Sequence, residues 1–366
     1  MMRREDVWQA ARLWLGAIGR SRARVALGWF WATVLGVLAV GAAVLQVLGP
    51  LPPSLVATPP AVPARPPEPD AAAVPHLPPR QAPAANLGIP APLASMQEPA
   101  PWFDGAMLPR IDAEGRMPMQ AYAAPFDAAD PRPRVAVLLA GIGMAEIDSE
   151  EAIRATPAAV SLAISPYAPR PGHLLELARA AGHEVLVSLP MEPLGYPLND
   201  PGPRALLTGL SPAQNHEQLI WALSRIGGYV GATATMSGLR GERFAASPQM
   251  KPVLEELARR GLLYVDPRPV PSRPGGPSLA RPGVRVADVV IDDPPVRSEI
   301  EARLARLEQL ARDRGSALGV IGLPGPVTID RLAAWTATLG ARGVYLVPVS
   351  ALVPPPVLET ATGRRR

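Results

Sequence analysis

The chain contains no cysteine in its 366 residues and has only four histidines. The absence of cysteine excludes a thiol nucleophile, a disulfide framework and any metal site built on thiolates. The hydrophobic share of 48% is still enough to build a sizeable core. The chain is therefore expected to fold without disulfides or a thiolate-bound metal.

The net charge is also small, at only +4, and the arginines are scattered along the chain. A clear surplus lies only at the two ends, from Arg3 to Arg24 and from Arg364 to Arg366. Terminal arginines are typical of membrane-topology signals and disordered tails rather than of a surface that reads bases. We therefore expect no nucleic-acid partner and assign residues 354–366 to a disordered basic tail.

One long apolar run, residues 25–49, follows the basic N-terminus. At about 1.5 Å per residue, a helix of this length spans a hydrocarbon core of about 30 Å. Trp29 and Trp31 lie near one end, where interfacial aromatic residues are favoured. We predict a single-pass inner-membrane anchor, with residues 1–24 in the cytoplasm and the C-terminal domain in the periplasm. A cleaved signal peptide is the alternative, although its apolar region usually has only about 7–15 residues.

Proline is abundant, with 48 residues, and many of the prolines lie between residues 50 and 133. Proline lacks the backbone N–H that helices and central strands need. This stretch also lacks hydrophobic periodicity. We therefore predict that residues 50–133 form a disordered Pro/Ala-rich linker.

From Arg134 onward, short apolar runs alternate with amphipathic segments, a pattern typical of βα units. The predicted strands are Val135–Leu139, Ala159–Ile164, Glu184–Leu189, Tyr229–Ala232, Leu262–Val265, Val286–Ile291, Ala317–Ile321 and Val344–Val347. Ser211 and Ser247, each followed by proline, predict the N-caps of two helices. The alternation predicts an α/β fold with a parallel sheet, either closed as a barrel or open and doubly wound. Functional residues would lie at the C-terminal strand ends.

Five stretches of this segment carry a more specific pattern. They are "GHEVLVSLPMEP" (Gly182–Pro193), "YPLNDPGPRALLTGLSP" (Tyr196–Pro212), "GGYVGATATM" (Gly227–Met236), "VLEELARRGLLYVDPR" (Val253–Arg268) and "GVYLVPVSALV" (343–353). In order and spacing, residues 134–353 resemble the divergent branch of the polysaccharide deacetylase family. The resemblance implies a distorted (β/α) barrel of the polysaccharide deacetylase type. It also implies a metal-dependent hydrolase, in which an Asp and two His hold a divalent cation and a neighbouring Asp acts as the base.

The chain departs from this family pattern where the metal ligands are expected. Ala140 and Gly141 stand at the positions of an Asp-Asp pair, and Ser188 stands at the position of a His. Thr235 lies within a stretch that reads Asn-His-Met-Gly-Ser in the branch, and Gly322–Pro324 replaces Gly-His-Pro. The histidines of the chain lie elsewhere, at His76, His173, His183 and His216, and are assigned to structure or solvent. We therefore predict neither a metal cofactor nor a catalytic residue.

Polar side chains still follow the predicted strands. They are Glu192, Asp200, Arg243, Asp266, Arg268 and Asp292, with Asp293 beside the last. Carboxylates and guanidinium groups around a cleft suit sugar hydroxyls and amides, so we predict that these residues bind a polysaccharide or another envelope glycan. Two simpler interpretations stay open, namely that Asp266 and Arg268 form a structural ion pair and that the turn at Asp200 is only rigid.

These patterns lead to three hypotheses about function. The first is a membrane-anchored periplasmic protein, catalytically inactive, that binds an envelope glycan or a protein partner. The second is an active carbohydrate deacetylase that uses Asp266, Asp292 or Asp293 in a rearranged site. The third is an envelope assembly protein. A nucleotide site is discounted because the turn at Gly141–Gly143 lacks the third glycine of the dinucleotide fingerprint.

Overall fold

The computed structural model describes residues 29–40, 88–269 and 280–356. Residues 29–40 form a helix, α1, within a first unit that ends at Pro78, and a second unit begins at Pro79. Within the described ranges, no helix is both long and apolar enough to cross a membrane. The rest of the predicted anchor and the basic tail from residue 357 onward lie outside the described residues.

The second unit alternates strands and helices, as the sequence pattern predicts. Its strands are β1 (Gln97–Pro99), β2 (Met107–Pro109), β3 (Arg134–Ile142), β4 (Ser161–Ile164), β5 (Val185–Ser188), β6 (Gly231–Thr233), β7 (Leu263–Asp266), β8 (Ala280–Arg281), β9 (Val284–Val286), β10 (Val289–Val290), β11 (Ser316–Ile321) and β12 (Tyr345–Leu346). Its helices are α2 (Pro118–Ala121), α3 (Glu146–Ala155), α4 (Pro171–Ala180), α5 (Pro212–Leu223), α6 (Glu242–Ala245), α7 (Met250–Arg259), α8 (Arg297–Arg314) and α9 (Pro326–Leu339).

The main sheet has the strand order β10–β11–β3–β4–β5–β6–β7–β9–β8, and β12 pairs with the start of β3. Every described pair in it is parallel except β8 with β9. The C-terminal ends of the parallel strands therefore lie at one edge, and we call these ends of β3–β6 and β11, with the loops that follow them, the barrel mouth.

The predicted strand Val286–Ile291 is two strands, and this split explains how the sheet curls. β9 pairs with β7, whereas β10 pairs with β11 at the other end of the strand order. The backbone N–H of Ala287 still donates to Asp266, and that of Asp288 donates to Leu318. One bent segment thus joins both ends of the sheet. The fold is a curled, parallel α/β half-barrel rather than a barrel closed by a continuous hydrogen-bond ladder.

The central strands are buried on both faces, as parallel strands covered by helices usually are. In β3, Val135, Val137 and Leu139 pack in the core cluster that includes the helices. Leu138 and Ala140 alternate with them and face a second, inner cluster. Side chains on a strand alternate between its two faces, so this register decides which residues reach the inside of the half-barrel.

Of the two predicted helix N-caps, Ser211 and Ser247, only the first is observed. Ser211 caps α5 by accepting a hydrogen bond from the Gln214 backbone N–H at 3.3 Å. The Ser247 hydroxyl instead donates to the Phe244 carbonyl, and α7 begins only at Met250. The Ser247 hydroxyl also accepts a hydrogen bond from the Gln249 N–H at 3.3 Å, but the N-cap of α7 is Gln249, so the prediction of an N-cap at Ser247 is wrong.

The linker prediction is wrong for residues 88–133, which are folded. β1 and β2 form an antiparallel hairpin, and Met96, Leu108 and Tyr122 are buried in the two core clusters. The prolines of this segment include Pro99 and Pro109 at strand ends and Pro118 at the first position of α2, where a missing N–H costs little. Residues 50–87 lie outside the described residues.

The edge of the half-barrel opposite the mouth is held by the buried carboxylate of Glu184. It accepts hydrogen bonds from the hydroxyls of Ser161 at 2.7 Å and Ser350 at 2.5 Å, and from the Ala124 N–H at 3.3 Å. Burial raises the pKa of this carboxyl. The contacts join β4 and β5 to both the segment 88–133 and the C-terminal segment.

Candidate functional site

The end of β3 forms one wall of the barrel mouth. Ala140 and Ile142 are fully buried. The next two residues, Gly143 and Met144, carry neither a carboxylate nor an imidazole. The Ala140 methyl group lies on the inner face, which is where a side chain could point into the half-barrel. The residue at this position therefore provides packing surface and no metal donor.

Gly141 leaves no room for a side chain. Its φ is +78°, in the left-handed region that favours glycine. A Cβ atom there would lie 2.9 Å from the Gly322 carbonyl oxygen and 2.9 Å from Cδ of Pro324. A carboxylate at position 141 would thus require the loop after β11 to move.

The loop after β6 covers the mouth. Met236 and Leu239 exchange backbone hydrogen bonds of 2.9 Å across a tight turn, in which Ser237 has a φ of +51°. Gly238 in this turn lies against Gly322, since a Cβ on Gly322 would be 2.9 Å from the Gly238 Cα. The loops after β6 and β11 therefore meet over the strand ends.

Hydroxyl residues stand at two of the places where the family pattern has an imidazole, and Leu323 stands at the third. Ser188 and Thr235 are buried, and neither hydroxyl has a hydrogen-bond partner in the described part of the chain. The Ser165 hydroxyl lies 3.8 Å from the Met236 sulfur. Neutral hydroxyls and a thioether do not match the carboxylate and imidazole donors that zinc and similar divalent cations require. The residues of the mouth do not fit the metal that the family implies.

Two of the predicted ligand-binding residues, Glu192 and Arg243, hold the loops together. Glu192 is buried, and its side chain accepts hydrogen bonds from the N–H of Thr208 at 2.5 Å and from its hydroxyl at 2.6 Å. Its other oxygen lies 3.1 Å from Nε of Arg243. Glu192 thus fixes the loop after β5, and only the guanidinium side of the pair faces solvent.

Asp292 lies at the mouth but is fully engaged with backbone. Its carboxylate accepts hydrogen bonds of 2.9 Å from the N–H groups of Gly322 and Leu323. The adjacent Asp293 pairs with Arg240 at 3.0 Å. Asp292 therefore shapes the turn that covers the site.

Asp266 and Arg268 form a bidentate pair on the helix side of the sheet. The guanidinium donates at 2.8 Å and 2.6 Å to the two carboxylate oxygens, and this carboxylate raises the pKa of Arg268. Both residues line a cavity of about 420 Å³ beside α7, together with the buried Tyr264. Asp266 shares the face of Tyr264 in β7, so it does not point into the half-barrel.

Asp200 is separate from all of these groups. It lies in an exposed turn and accepts a hydrogen bond from the Gly202 N–H at 2.8 Å. The six predicted residues therefore divide among the loop pair, the mouth turn, the helix side and an exposed turn. The structure does not bring them together around one cleft.

One cluster could offer a cation three ligands among the described residues, and it lies away from the mouth. It consists of Glu146, Glu150 and His173, whose ligand atoms lie within 4.8 Å of one another. Glu150 is already bound by Arg154 at 2.5 Å and by His173 at 3.1 Å, and these contacts lower its pKa. The cluster is half-buried, and Arg154 and Arg170 already pair with its two carboxylates.

Sequence reasoning missed the ring pair formed by Trp102 and His216. Their centroids lie 5.8 Å apart at an interplanar angle of 90°. The linker assignment hid Trp102, although "PWFDG" combines two aromatic residues with an Asp-Gly turn signal between two short apolar stretches. That pattern predicts a hairpin, which is what β1 and β2 form.

Comparison with known proteins identifies the family. The sequence model described as divergent polysaccharide deacetylase matches residues 137–353, which is more than half of the chain. An uncharacterized protein of Haemophilus influenzae is 28% identical over 204 residues, covering 55% of this chain and 70% of that protein. The uncharacterized protein YibQ of Escherichia coli is 28% identical over 218 residues, covering 58% of this chain and 66% of YibQ.

A solved structure agrees with this result. The crystal structure of the uncharacterized protein ATU2773 from Agrobacterium tumefaciens has 32% sequence identity and a TM-score of 0.61. The match covers 68% of this chain and 100% of the Agrobacterium chain. The fold and the sequence thus point to the same relatives. The chain belongs to the divergent polysaccharide deacetylase family.

Proposed function

We propose that this chain is a non-hydrolytic member of its family, whose folded head binds an envelope glycan. The observation that carries the proposal is the wall formed by Ala140 and Gly141. The first supplies a methyl group, and the second has no space for a side chain. A divalent cation needs anionic or imidazole donors that converge on it, and this wall offers neither.

The proposal includes a location. We propose that residues 25–49 anchor the chain in the inner membrane with the N-terminus in the cytoplasm, so that the head lies in the periplasm. The apolar length of this run and the arginines before it support this topology.

An active deacetylase with a rearranged site has less support. Asp266 lies on the helix side, apart from the adjacent Asp292 and Asp293. The three are engaged by Arg268, by backbone N–H groups and by Arg240, respectively. A general base must be within reach of the water that it activates, and a metal needs several ligands at one point. The three carboxylates do not converge on one point, so they satisfy neither requirement.

A role in envelope assembly through a protein partner is the second candidate. Exposed apolar side chains lie at the starts of α3 and α9, which pack against each other. They are Met144, Ile147, Leu323 and Val327, of which Ile147 is 81% exposed. Apolar residues grouped at a loop face favour contact with another protein.

The test uses the full chain purified in detergent. We would measure bound metal, hydrolysis of acetylated oligosaccharides with added zinc, and binding to an array of neutral and charged envelope oligosaccharides. A relative that retains the Asp-Asp pair serves as the positive control for metal and turnover. We expect no stoichiometric metal, no turnover above that of the buffer and saturable binding of a glycan.

Chelator-sensitive turnover would overturn the non-hydrolytic assignment. Absence of binding to every glycan on the array would overturn the glycan assignment and favour the assembly role. In that case, substitution of Ile147 by Asp should abolish capture of the protein partner while leaving the fold intact.

A further inference from the structure

Trp102 is held in a costly conformation and left in solvent. It lies in the turn between β1 and β2, has a φ of +67° and is 64% exposed. A bulky residue in the left-handed region is strained, and glycine or asparagine would make the same turn at lower cost. The indole also forgoes burial. Two unfavourable features at one residue point to a role in binding rather than in folding.

An apolar groove is lined by His216, the ring partner of this indole. It has a volume of about 240 Å³ and runs between the N-terminal halves of α5 and α7. Its walls consist mainly of Pro212, Leu219, Pro248, Pro252 and Val253. His216 belongs to both features, because it lines the groove and stands at a right angle to the Trp102 ring.

The groove is built on a rigid support. The Gln249 amide donates to the Thr208 carbonyl at 3.0 Å, and Asn215 donates in turn to the Gln249 oxygen. Thr208 is held by the buried Glu192. A chain of hydrogen bonds therefore links the end of β5 to the groove. This support leaves the groove preformed, which limits the entropy lost when a ligand binds.

Among the described residues, no Asp, Glu, Lys or Arg side chain lines the groove. Glu217, the residue after His216, pairs with Arg204 at 3.4 Å. Neither sign predominates, so the groove favours an occupant without net charge. A volume below the range of about 300–1,000 Å³ typical of drug-sized ligands suits a single ring rather than a larger body.

We infer that Trp102, His216 and this groove bind one ring of an uncharged glycan. A pyranose has apolar C–H faces, which can stack on the indole face of Trp102. Its hydroxyl groups lie at the ring edge, where the His216 imidazole offers both a donor and an acceptor nitrogen. The His216 nitrogens have no hydrogen-bond partner within the described ranges. The inference rests on the proposed function for the class of ligand, and it adds the place and the residues.

The test compares four variants of the full chain on the same oligosaccharide array, with Kd values measured by titration of the best neutral oligosaccharide. Trp102→Ala should weaken binding by about tenfold or more, and Trp102→Phe should recover part of it, because a smaller aromatic face remains. His216→Ala should also weaken binding. Leu194→Ala, a substitution of a similarly exposed apolar residue outside the groove, should have no effect.

Thermal unfolding of each variant shows whether the head remains folded, and Trp102→Ala is expected to stay folded because the indole is mostly exposed. Wild-type protein that binds no glycan would refute the proposed function. Wild-type binding that Trp102→Ala leaves unchanged would refute this inference alone. Binding of a proline-rich peptide, lost in Trp102→Ala and not competed by the glycan, would also overturn it.

Discussion

The tight contact at Gly141 can be tested against a second glycine with nearly the same φ. Gly141 and Gly343 have φ values of +78° and +77°. A Cβ at Gly343 meets no atom within 4 Å, whereas a Cβ at Gly141 lies 2.9 Å from both Gly322 O and Pro324 Cδ. Alanine at the two positions therefore isolates the effect of crowding at the mouth.

The expected loss of stability differs between the two variants. Gly343→Ala should cost about 1–2 kcal/mol, the backbone cost of a left-handed residue with a Cβ. Gly141→Ala adds overpacking of about 1–3 kcal/mol, so its total is roughly 2–5 kcal/mol. Urea unfolding at constant m-value measures both. Equal losses for the two variants would refute the claim that the loop after β11 closes on Gly141.

The same contact predicts what happens when the family residues are put back. The double variant Ala140→Asp, Gly141→Asp should not acquire a stoichiometric divalent cation, because the second carboxylate has no space and the imidazoles remain absent. It should also be less stable than Gly141→Ala, since it buries charge near the Gly322 carbonyl oxygen. Metal analysis after dialysis against zinc measures the outcome, and a bound equivalent of zinc would contradict the reasoning.

Three further predictions concern the scaffold. Burial raises the pKa of Glu184 above its ordinary value of 4.5, so the folded state binds the carboxyl proton more tightly than the unfolded state does. Stability should therefore fall as pH rises from 4.5 through the folded pKa. Glu184→Gln should remove this slope in urea midpoints, and an unchanged slope would refute its assignment to Glu184. Asp288→Ala should cost about 3–5 kcal/mol in urea unfolding, because it leaves the buried Arg285 guanidinium without its carboxylate partner; a loss below about 1 kcal/mol would contradict this. Ser211→Ala should lower the stability of the chain by about 1 kcal/mol through loss of the α5 N-cap, measured by thermal unfolding, and no loss would argue against the cap.

Much of the fold was predictable because hydrophobic periodicity is local. The short, continuous apolar runs Val135–Leu139 and Ala317–Ile321 are typical of buried parallel strands, and both lie within observed strands, β3 and β11. The prediction of one strand over the run Val286–Ile291 is wrong. Its pattern is continuous, and only the pairing of its halves with β7 and β11 divides it.

The candidate site was also predictable only in part. The missing carboxylates at 140 and 141 are visible in the chain itself, because donor chemistry is a property of each residue. Whether Asp266 and Glu192 face a common cleft is not visible there, since this depends on register and on loop packing. The structure places Asp266 on the helix side and uses Glu192 to hold Thr208.

The sequence alone determined the absence of thiolate chemistry, the βα alternation and the loss of the metal donors, because each depends on residue type or on local spacing. Only the tertiary structure decided that residues 88–133 belong to the folded unit, that Gly238 and Gly322 meet over the mouth, and that Trp102 stands beside the groove of His216. These features join segments far apart in the chain. Their energies depend on packing between residues that no local pattern places in contact.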